Sequence, residues 1–413
     1  MPSIGEVMRG RVATFVVLAL LVPCSACSSL LTGSREDDIA ALLEARSEAL
    51  LAGDRAAFVR LLDPRDTAFV ATEKRTFDNL QDLPVQRLAY RLDSTFHDQT
   101  SGRDVWKVEG REDLRLEDFD EVSSTSTTAF TVTELGGRMV FTAPVEEAAY
   151  DDRSQPWDLT RIHVDRTEHA LLVYEDDTAS LVGEGVAEVE RAVREVDRAF
   201  PLDWDGHVVV YLLDDPEVLE PLDLVSSPTE PGGFAGATIP VLSDDVVPRV
   251  VGTRVVLSPA AYDVDRSARA RLLRHELTHE AMGFGIGDDA WFAEGVATYV
   301  EYASEPLRRW PVARRDVARA GRGVSEMPMA HEMYEAGPEA SAFSYALALV
   351  ACDLIVRRDG REALADIYAG LAELGPDAMS GAQDAVYRQV TGLGSAALAR
   401  QAGRAMVETF GAS

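Results

Sequence analysis

Between residues 36 and 62 the apolar positions Ile39, Leu42, Leu43, Leu50, Leu51, Phe58, Leu61 and Leu62 recur at the spacing that lines one face of a helix. Gly53 and Asp54 interrupt that face, so the pattern predicts two helices, the second capped by Asp54. From 85 to 145 the pattern changes to strand-like alternation. Short segments at 87–92, 105–108, 129–133 and 139–142, separated by Gly- and Asp-rich turns, predict antiparallel strands. The polar run Asp151, Asp152, Arg153, Ser154, Gln155 and Pro156 then reads as a boundary.

Past that boundary come strands at 161–165 and 170–175, an amphipathic helix over 183–199 and an apolar strand at 207–213. Gly232, Gly233 and Gly236 flank Phe234 and Ala235 ahead of a β-rich run at 249–257, which predicts a glycine-bent hairpin or a sheet edge. A phosphate cradle fails on context, because no Gly-Lys-Ser/Thr follows and the next element is a strand. A helix over 267–282 closed by Gly283, a second helix capped by Asp288 or Asp289, and apolar helical runs at 342–356 and 364–371 around Gly360 complete the pattern. The fold class is therefore α+β: helices with a curved antiparallel sheet, then a mixed sheet and a helical C-terminal part.

At 413 residues, with 46% hydrophobic and 27% charged positions, the chain has the composition of a soluble protein of two or three domains. Forty Lys and Arg against seventy Asp and Glu give a net charge of −30, a field that repels nucleic-acid phosphates and anionic lipid, so nucleic acid is not expected as a partner. Arg9 and Arg11 precede the apolar run 12–22, which reads as a secretion signal too short to span a bilayer comfortably. Pro23, Cys24, Ser25, Ala26 and Cys27 follow, and this stretch resembles the lipid-attachment site of bacterial lipoproteins. The resemblance implies export, a lipid on Cys27 or Cys24 with Cys27 slightly favoured, and anchoring on the outer face of the cytoplasmic membrane. An uncleaved anchor, or secretion after cleavage near Ala26, fits the same residues. The remaining cysteine, Cys352, sits in an apolar run and reads as a small core side chain without chemistry of its own.

Helices followed by a curved sheet, with the phrase Ala-Leu-Leu-Ala-Gly-Asp-Arg-Ala-Ala-Phe at 49–58, resemble the cone-shaped fold of the nuclear transport factor 2 family. That fold hosts enzymes and binding modules alike, so it implies no activity, and residues 36–150 are expected to be accessory.

The chemistry concentrates in His275-Glu276-Leu277-Thr278-His279, an HExxH on the helix expected over 267–282. Helical residues four apart share a face, so both imidazoles reach one tetrahedral Zn²⁺. Glu276 can then serve as a general base toward water whose pKa the metal lowers. A third protein ligand is offered by Glu294, fifteen residues after His279 in Trp291-Phe292-Ala293-Glu294-Gly295. The donor set favours a single zinc ion, though mixed imidazole and carboxylate ligation also suits iron, cobalt or nickel. His97, His163, His169 and His207 stand alone and read as structural, and no acidic pair has the spacing of a calcium loop.

HExxH followed by Trp-x-x-Glu-Gly resembles the gluzincin metallopeptidases, in particular their peptidase MA-like domains, over roughly residues 160–370. The resemblance implies His275, His279 and Glu294 as zinc ligands, Glu276 as general base, and a peptide or protein substrate laid along an edge strand. That edge is either residues 254–258 or the Gly-rich segment before them. Where thermolysin-like members carry an aspartate one turn after the third ligand, this chain has Thr298. The oxyanion-stabilising group has no motif; Tyr345 is the first candidate, then His331 and Tyr334.

The expected division is a signal peptide at 1–27, a tether at 28–35, the accessory domain at 36–150, a zincin catalytic subdomain at 157–305 and a helical C-terminal subdomain at 306–413. Two rivals to an exported zinc peptidase fit the same residues: a surface-binding lipoprotein with a structural zinc domain, and a zinc hydrolase of a non-peptide amide. An intact Glu276 weighs against the first, because a structural site needs no base.

Overall fold

The structure, a computed structural model, describes residues 29–99, 104–144, 155–214, 236–243, 249–258, 260–283, 286, 289–375 and 378–411. The expected signal with Cys24 and Cys27, the glycines Gly232 and Gly233, and Asp288 lie outside the described residues.

The first part of the chain forms helices α1 (Ser29–Leu51), α2 (Arg55–Arg60) and α3 (Thr67–Asp82), then strands β1 (Val85–Asp98), β2 (Val105–Leu116), β3 (Ser124–Leu135) and β4 (Arg138–Thr142). The strands make an antiparallel meander in sequence order. The Asp54 carboxylate accepts from the Ala57 N–H at 2.8 Å and so starts α2. Residues 28–35, expected as a tether, belong to α1 from Ser29 onward. The segment extends the helix whose Ile39 face is buried, and Arg35 pairs with Glu134 on β3 at 2.6 Å. Helix α3 escaped the hydrophobic pattern because two of its four buried positions, Thr76 and Asn79, are polar. Strands β1 and β2 run past the expected segments as a ribbon held by polar pairs such as Arg111–Asp93 at 2.6 Å and Ser94–Glu109 at 2.7 Å.

The second part holds α4 (Pro156–Leu159), β5 (Ile162–Arg166), β6 (Ala170–Glu175), α5 (Val182–Ala199), β7 (Val208–Leu212), β8 (Gly236–Leu242) and β9 (Val250–Leu257). Their sheet has the order β5-β6-β7-β9-β8, with β6, β7 and β9 parallel and the outer strands β5 and β8 antiparallel. The central strand β7 is buried at every position because both faces of the sheet are covered. Leu172, Val208, Val210, Leu212, Val255 and Leu257 pack against the helices. Leu171, Val173, Val209, Tyr211 and Val256 pack into the same core as Ile39, Phe58, Phe77 and Phe141 of the first part. The sheet is thus the shared wall between two layers.

The helical remainder comprises α6 (Ala260–Asp263), α7 (Arg266–Met282), α8 (Ala290–Tyr302), α9 (Arg314–Ala320), α10 (Ala330–Tyr334), α11 (Pro338–Asp359), α12 (Glu362–Leu374), α13 (Ser380–Thr391) and α14 (Ser395–Phe410). Helix α11 is long and apolar enough to cross a membrane, yet Phe343, Leu347, Leu349, Cys352 and Ile355 are buried in the protein core. Burial also pushes the Cys352 thiol well above its ordinary pKa, which leaves it an inert packing group. Of the two expected edges, one is ruled out. Residues 254–258 are not a sheet edge, because β9 is paired on both sides; the edge is β8, which starts at Gly236.

Candidate metal centre

Helix α7 starts where the Asp265 carboxylate accepts from the N–H groups of Ser267 and Ala268, and it stops at Gly283, whose φ of +59° favours glycine. Two buried arginines fix it in place. Arg269 Nε pairs with Glu188 of α5 at 2.6 Å, while Arg274 Nη1 pairs with Glu195 at 2.7 Å and its Nη2 donates to the Glu301 carbonyl of α8 at 2.7 Å. Leu273, Leu277, Ala281 and Met282 enter the core, which leaves His275, Glu276 and His279 for the opposite side.

Helix α8 buries Trp291, Phe292, Val296 and Val300. Gly295 is needed for close packing: a Cβ there would lie 3.0 Å from Cys352 Sγ and 3.1 Å from the Ala348 carbonyl on α11. This contact seats α8 against α11 and carries Glu294 toward the two histidines.

The three donors converge. His275 Nε2 and His279 Nε2 are 3.2 Å apart, and Glu294 Oε2 lies 3.4 Å and 3.6 Å from them. Ligands about 2.0–2.1 Å from a tetrahedral ion sit about 3.4 Å from one another. The triangle therefore has the edge lengths of one face of a zinc tetrahedron, and the residues fit zinc, with the fourth corner left to a non-protein ligand. Among the described residues these three form the group of His, Cys, Asp and Glu able to hold a metal.

The surroundings are set for a cation. Burial disfavours a charged His275, but the Glu294 and Glu301 carboxylates outweigh it and raise its pKa well above the ordinary value. Burial likewise opposes ionisation of Glu294, yet the two imidazoles prevail and hold its carboxyl well below the usual range. Its Oε1 accepts a hydrogen bond from Tyr334 at 2.9 Å, which leaves Oε2 for the histidines.

The neighbour of His275 lies beyond the position one turn after Glu294. Thr298 Oγ1 is buried without a partner, one turn after Glu294. Two turns after it, Glu301 Oε2 stands 3.3 Å from His275 Nδ1, at ion-pair distance though without well-aligned hydrogen-bond geometry. A glutamate's longer stem spans what an aspartate covers from the nearer turn. Glu276 is 7% exposed, and its Oε2 accepts from Thr238 Oγ1 of β8 at 2.9 Å. At Gly236 a Cβ would lie 3.1 Å from Leu257 Cδ2, tighter than ordinary contact, and 3.4 Å from Glu276 Cγ. Thr238 and Glu301 had no sequence signal, because each acts from a different element or turn than the motif.

Of the three oxyanion candidates, Tyr345 lies near both Glu294 and Glu276, Tyr334 touches Glu294, and His331 is exposed on α10. Burial first, then Glu294, pushes both tyrosines well above their usual pKa, so both remain O–H donors. Asp289 begins α8 as expected, but its side chain does not cap the helix; it accepts from the buried Tyr387 hydroxyl at 2.6 Å. The solitary histidines lie elsewhere with single carboxylate partners: His97 with Asp104, His163 with Asp176 and His169 with Glu190.

The sequence matches no family model, and no curated protein matches it. Among solved structures the chain is similar to the M1 zinc metallopeptidase of Deinococcus radiodurans, with 15% identity and a TM-score of 0.35, covering 78% of this chain and 60% of that one. A variant of that enzyme gives 14%, 0.36, 78% and 61% in the same order. A two-domain M1 zinc metallopeptidase variant bound to L-arginine gives 13%, 0.34, 78% and 60%. The chain spans about 60% of the length of these structures.

Proposed function

We propose that this chain is a zinc-dependent peptidase. The observation that carries the reading is the triangle of His275, His279 and Glu294 donors beside the Glu276 carboxylate, which Thr238 fixes and the edge strand β8 borders.

His275 Nε2, His279 Nε2 and Glu294 Oε2 would hold the ion. When bound, zinc supplies Lewis acidity toward a substrate carbonyl and lowers the pKa of water. Glu276 takes a proton from the attacking water and returns it to the departing amine, the work of a buried carboxylate at hydrogen-bonding distance. Thr238 donates to Glu276 Oε2 and so orients that carboxylate. Tyr345, a proton-bearing hydroxyl close to Glu276 and Glu294, donates to the negative charge that develops on the carbonyl oxygen. The outer edge of β8 offers main-chain N–H and C=O groups to an extended polypeptide, which favours a peptide over another amide as substrate.

Three helices over a four-stranded antiparallel meander support a nuclear transport factor 2-like unit in residues 36–150. Export with a lipid on Cys27 or Cys24 is proposed from Arg9, Arg11 and the apolar run alone, and fatty-acid labelling of the Cys27→Ser and Cys24→Ser variants tests it.

The metal is tested first by elemental analysis of the purified chain. One zinc per chain is expected, falling below one tenth of that in His275→Ala, His279→Ala and Glu294→Ala. Full zinc content in any of the three would remove that residue from the site.

A further inference from the structure

Strand β8 ends the sheet order, and among the described residues no strand pairs with its outer side. Its neighbour shows which main-chain groups face that side. The Leu213 N–H donates to the Leu257 carbonyl at 3.2 Å, so Leu257 turns its main-chain groups toward β7 and away from β8. Main-chain groups alternate in direction along a strand, which turns those of Val256 and Arg254 toward β8. Ala237 stands opposite Val256 and Ile239 opposite Arg254, so these two residues of β8 bond to β9. Gly236, Thr238 and Pro240, opposite Leu257, Val255 and Thr253, turn theirs to the open side.

Side chains alternate with the same period. The Thr238 hydroxyl meets Glu276 twice, at its carbonyl (3.0 Å) and at Oε2 (2.9 Å), while Ile239 packs into the core of the first part. The open edge therefore passes the metal site at Thr238. An extended peptide beside it finds the N–H and C=O of both Gly236 and Thr238. At Pro240 it finds a carbonyl and no N–H, since the ring nitrogen carries a carbon in place of the proton. A peptide carbonyl arriving there loses its partner, in either strand direction. The register with β9 also shifts between Val241 and Leu242, an irregularity that bends a strand. At about 3.3 Å per residue, Pro240 lies about 7 Å, or about two substrate residues, beyond Thr238.

We infer that Pro240 is a specificity-determining residue that ends substrate pairing along β8. The inference rests on the peptidase reading and deepens it. The substrate is a polypeptide held extended over a short stretch at the metal, which on the Pro240 side either ends or bends away from the sheet. Longer extended chains gain nothing from residues past that point, because each further pair would begin with an unpaired carbonyl. A proline on an exposed edge also guards against strand pairing between copies of a chain, and the two roles give different results on measurement.

Calorimetric titration of the zinc-loaded full chain with two series of peptide hydroxamates of increasing length tests the inference. Hydroxamate chelates zinc and so fixes every member at the metal. One series, acetyl-oligoalanine hydroxamates, grows toward the amino end, and the other, hydroxamoylacetyl-oligoalanine amides, grows toward the carboxyl end. In the wild-type chain affinity is expected to rise with length in one series and to level off in the other. Pro240→Ala supplies the missing N–H at an exposed position, and the levelled series should then gain about two- to tenfold at the first residue past the stop, the effect of one hydrogen bond. Short members and the other series should bind as before. Rising affinity in both series of the wild type, or a Pro240→Ala profile equal to the wild type's, overturns the inference. Self-association of Pro240→Ala in sedimentation without the gain assigns the proline to edge protection alone and overturns it too. Tight short members with no length dependence in either series remove β8 from substrate binding but keep the metal site, whereas failure of acetohydroxamate to bind a chain holding zinc removes the peptidase reading itself.

Discussion

Glu301 and Thr298 show how much of a metal centre depends on residues that no motif contains. Thr298 occupies the position one turn beyond Glu294 but its hydroxyl touches nothing polar, whereas Glu301 stands 3.3 Å from His275 Nδ1. A carboxylate behind a metal-bound imidazole fixes the ring and raises its basicity, and losing such a partner costs about 10–100-fold in metal affinity. Glu301→Gln is therefore expected to weaken zinc binding by that factor in a competitive chelator titration, while Thr298→Val leaves it unchanged. The reverse ranking would return the role to Thr298. The candidates His275, Glu276 and His279 could be read from sequence because one helix fixes the spacing of its own residues, whereas Glu294, on the separate helix α8, was reached only through Trp-x-x-Glu-Gly. Thr238, Glu301 and Tyr334 were not legible as partners, because their contacts depend on where β8, the far end of α8 and α10 are packed.

At the scale of elements, the start of α8 departs from its local rule. Asp289 stands at the N-cap position, where a carboxylate normally stabilises the helix, but it is drawn into the core to accept from Tyr387. Burial pushes its pKa up to about 6, against which the Tyr387 hydrogen bond pulls only partly. A carboxyl whose folded pKa exceeds its unfolded one favours the fold only while protonated. Its contribution is lost as pH rises from about 4 to about 6, and at neutral pH the charged form costs about 3 kcal/mol. Asp289→Asn keeps an acceptor for Tyr387 and removes the charge, so it should raise the unfolding free energy at pH 7 by up to that amount and leave it unchanged near pH 3.5. A loss of stability at pH 7 would contradict this assignment. Elements with clear ends, such as α7 between Asp265 and Gly283 and the short apolar run of β7, could be located from sequence to within a residue or two. Helix α3 could not, since Thr76 and Asn79 interrupt its apolar face, and the order of β8 and β9 in the sheet is a property of pairing that no strand's own sequence encodes.

At the scale of the whole molecule, the mixed sheet is buried on both faces, so the first part of the chain is a structural layer of the unit that carries the candidate metal site. Removing it would expose Leu171, Val173, Val209, Tyr211 and Val256, apolar side chains worth about 1.5–3 kcal/mol each when buried. One buried ion pair joins the layers: Arg254 Nη2 of β9 lies 2.7 Å from Asp120 Oδ1 in the β2–β3 connection, 134 residues away. Asp120→Ala removes the carboxylate paired with that buried guanidinium, leaving it the Thr253 carbonyl, and should cost about 3–5 kcal/mol in urea unfolding; a change below about 1 kcal/mol would show that the pair does not hold the layers together. The sequence suggested a boundary near Pro156 but not this seam, because alternate residues of one apolar strand face different layers without any compositional sign. The central claim is that the assembled molecule hydrolyses peptides through His275, His279, Glu294 and Glu276. Its most direct test is mass-spectrometric detection of cleavage products from a diverse peptide library, with the zinc-loaded chain, the chelated chain and a zinc-loaded Glu276→Gln variant compared side by side. The account predicts cleavage by the first alone, with turnover at least about a hundredfold lower in the variant despite equal zinc content. Undiminished cleavage by Glu276→Gln, or none by a chain holding one zinc, would contradict it.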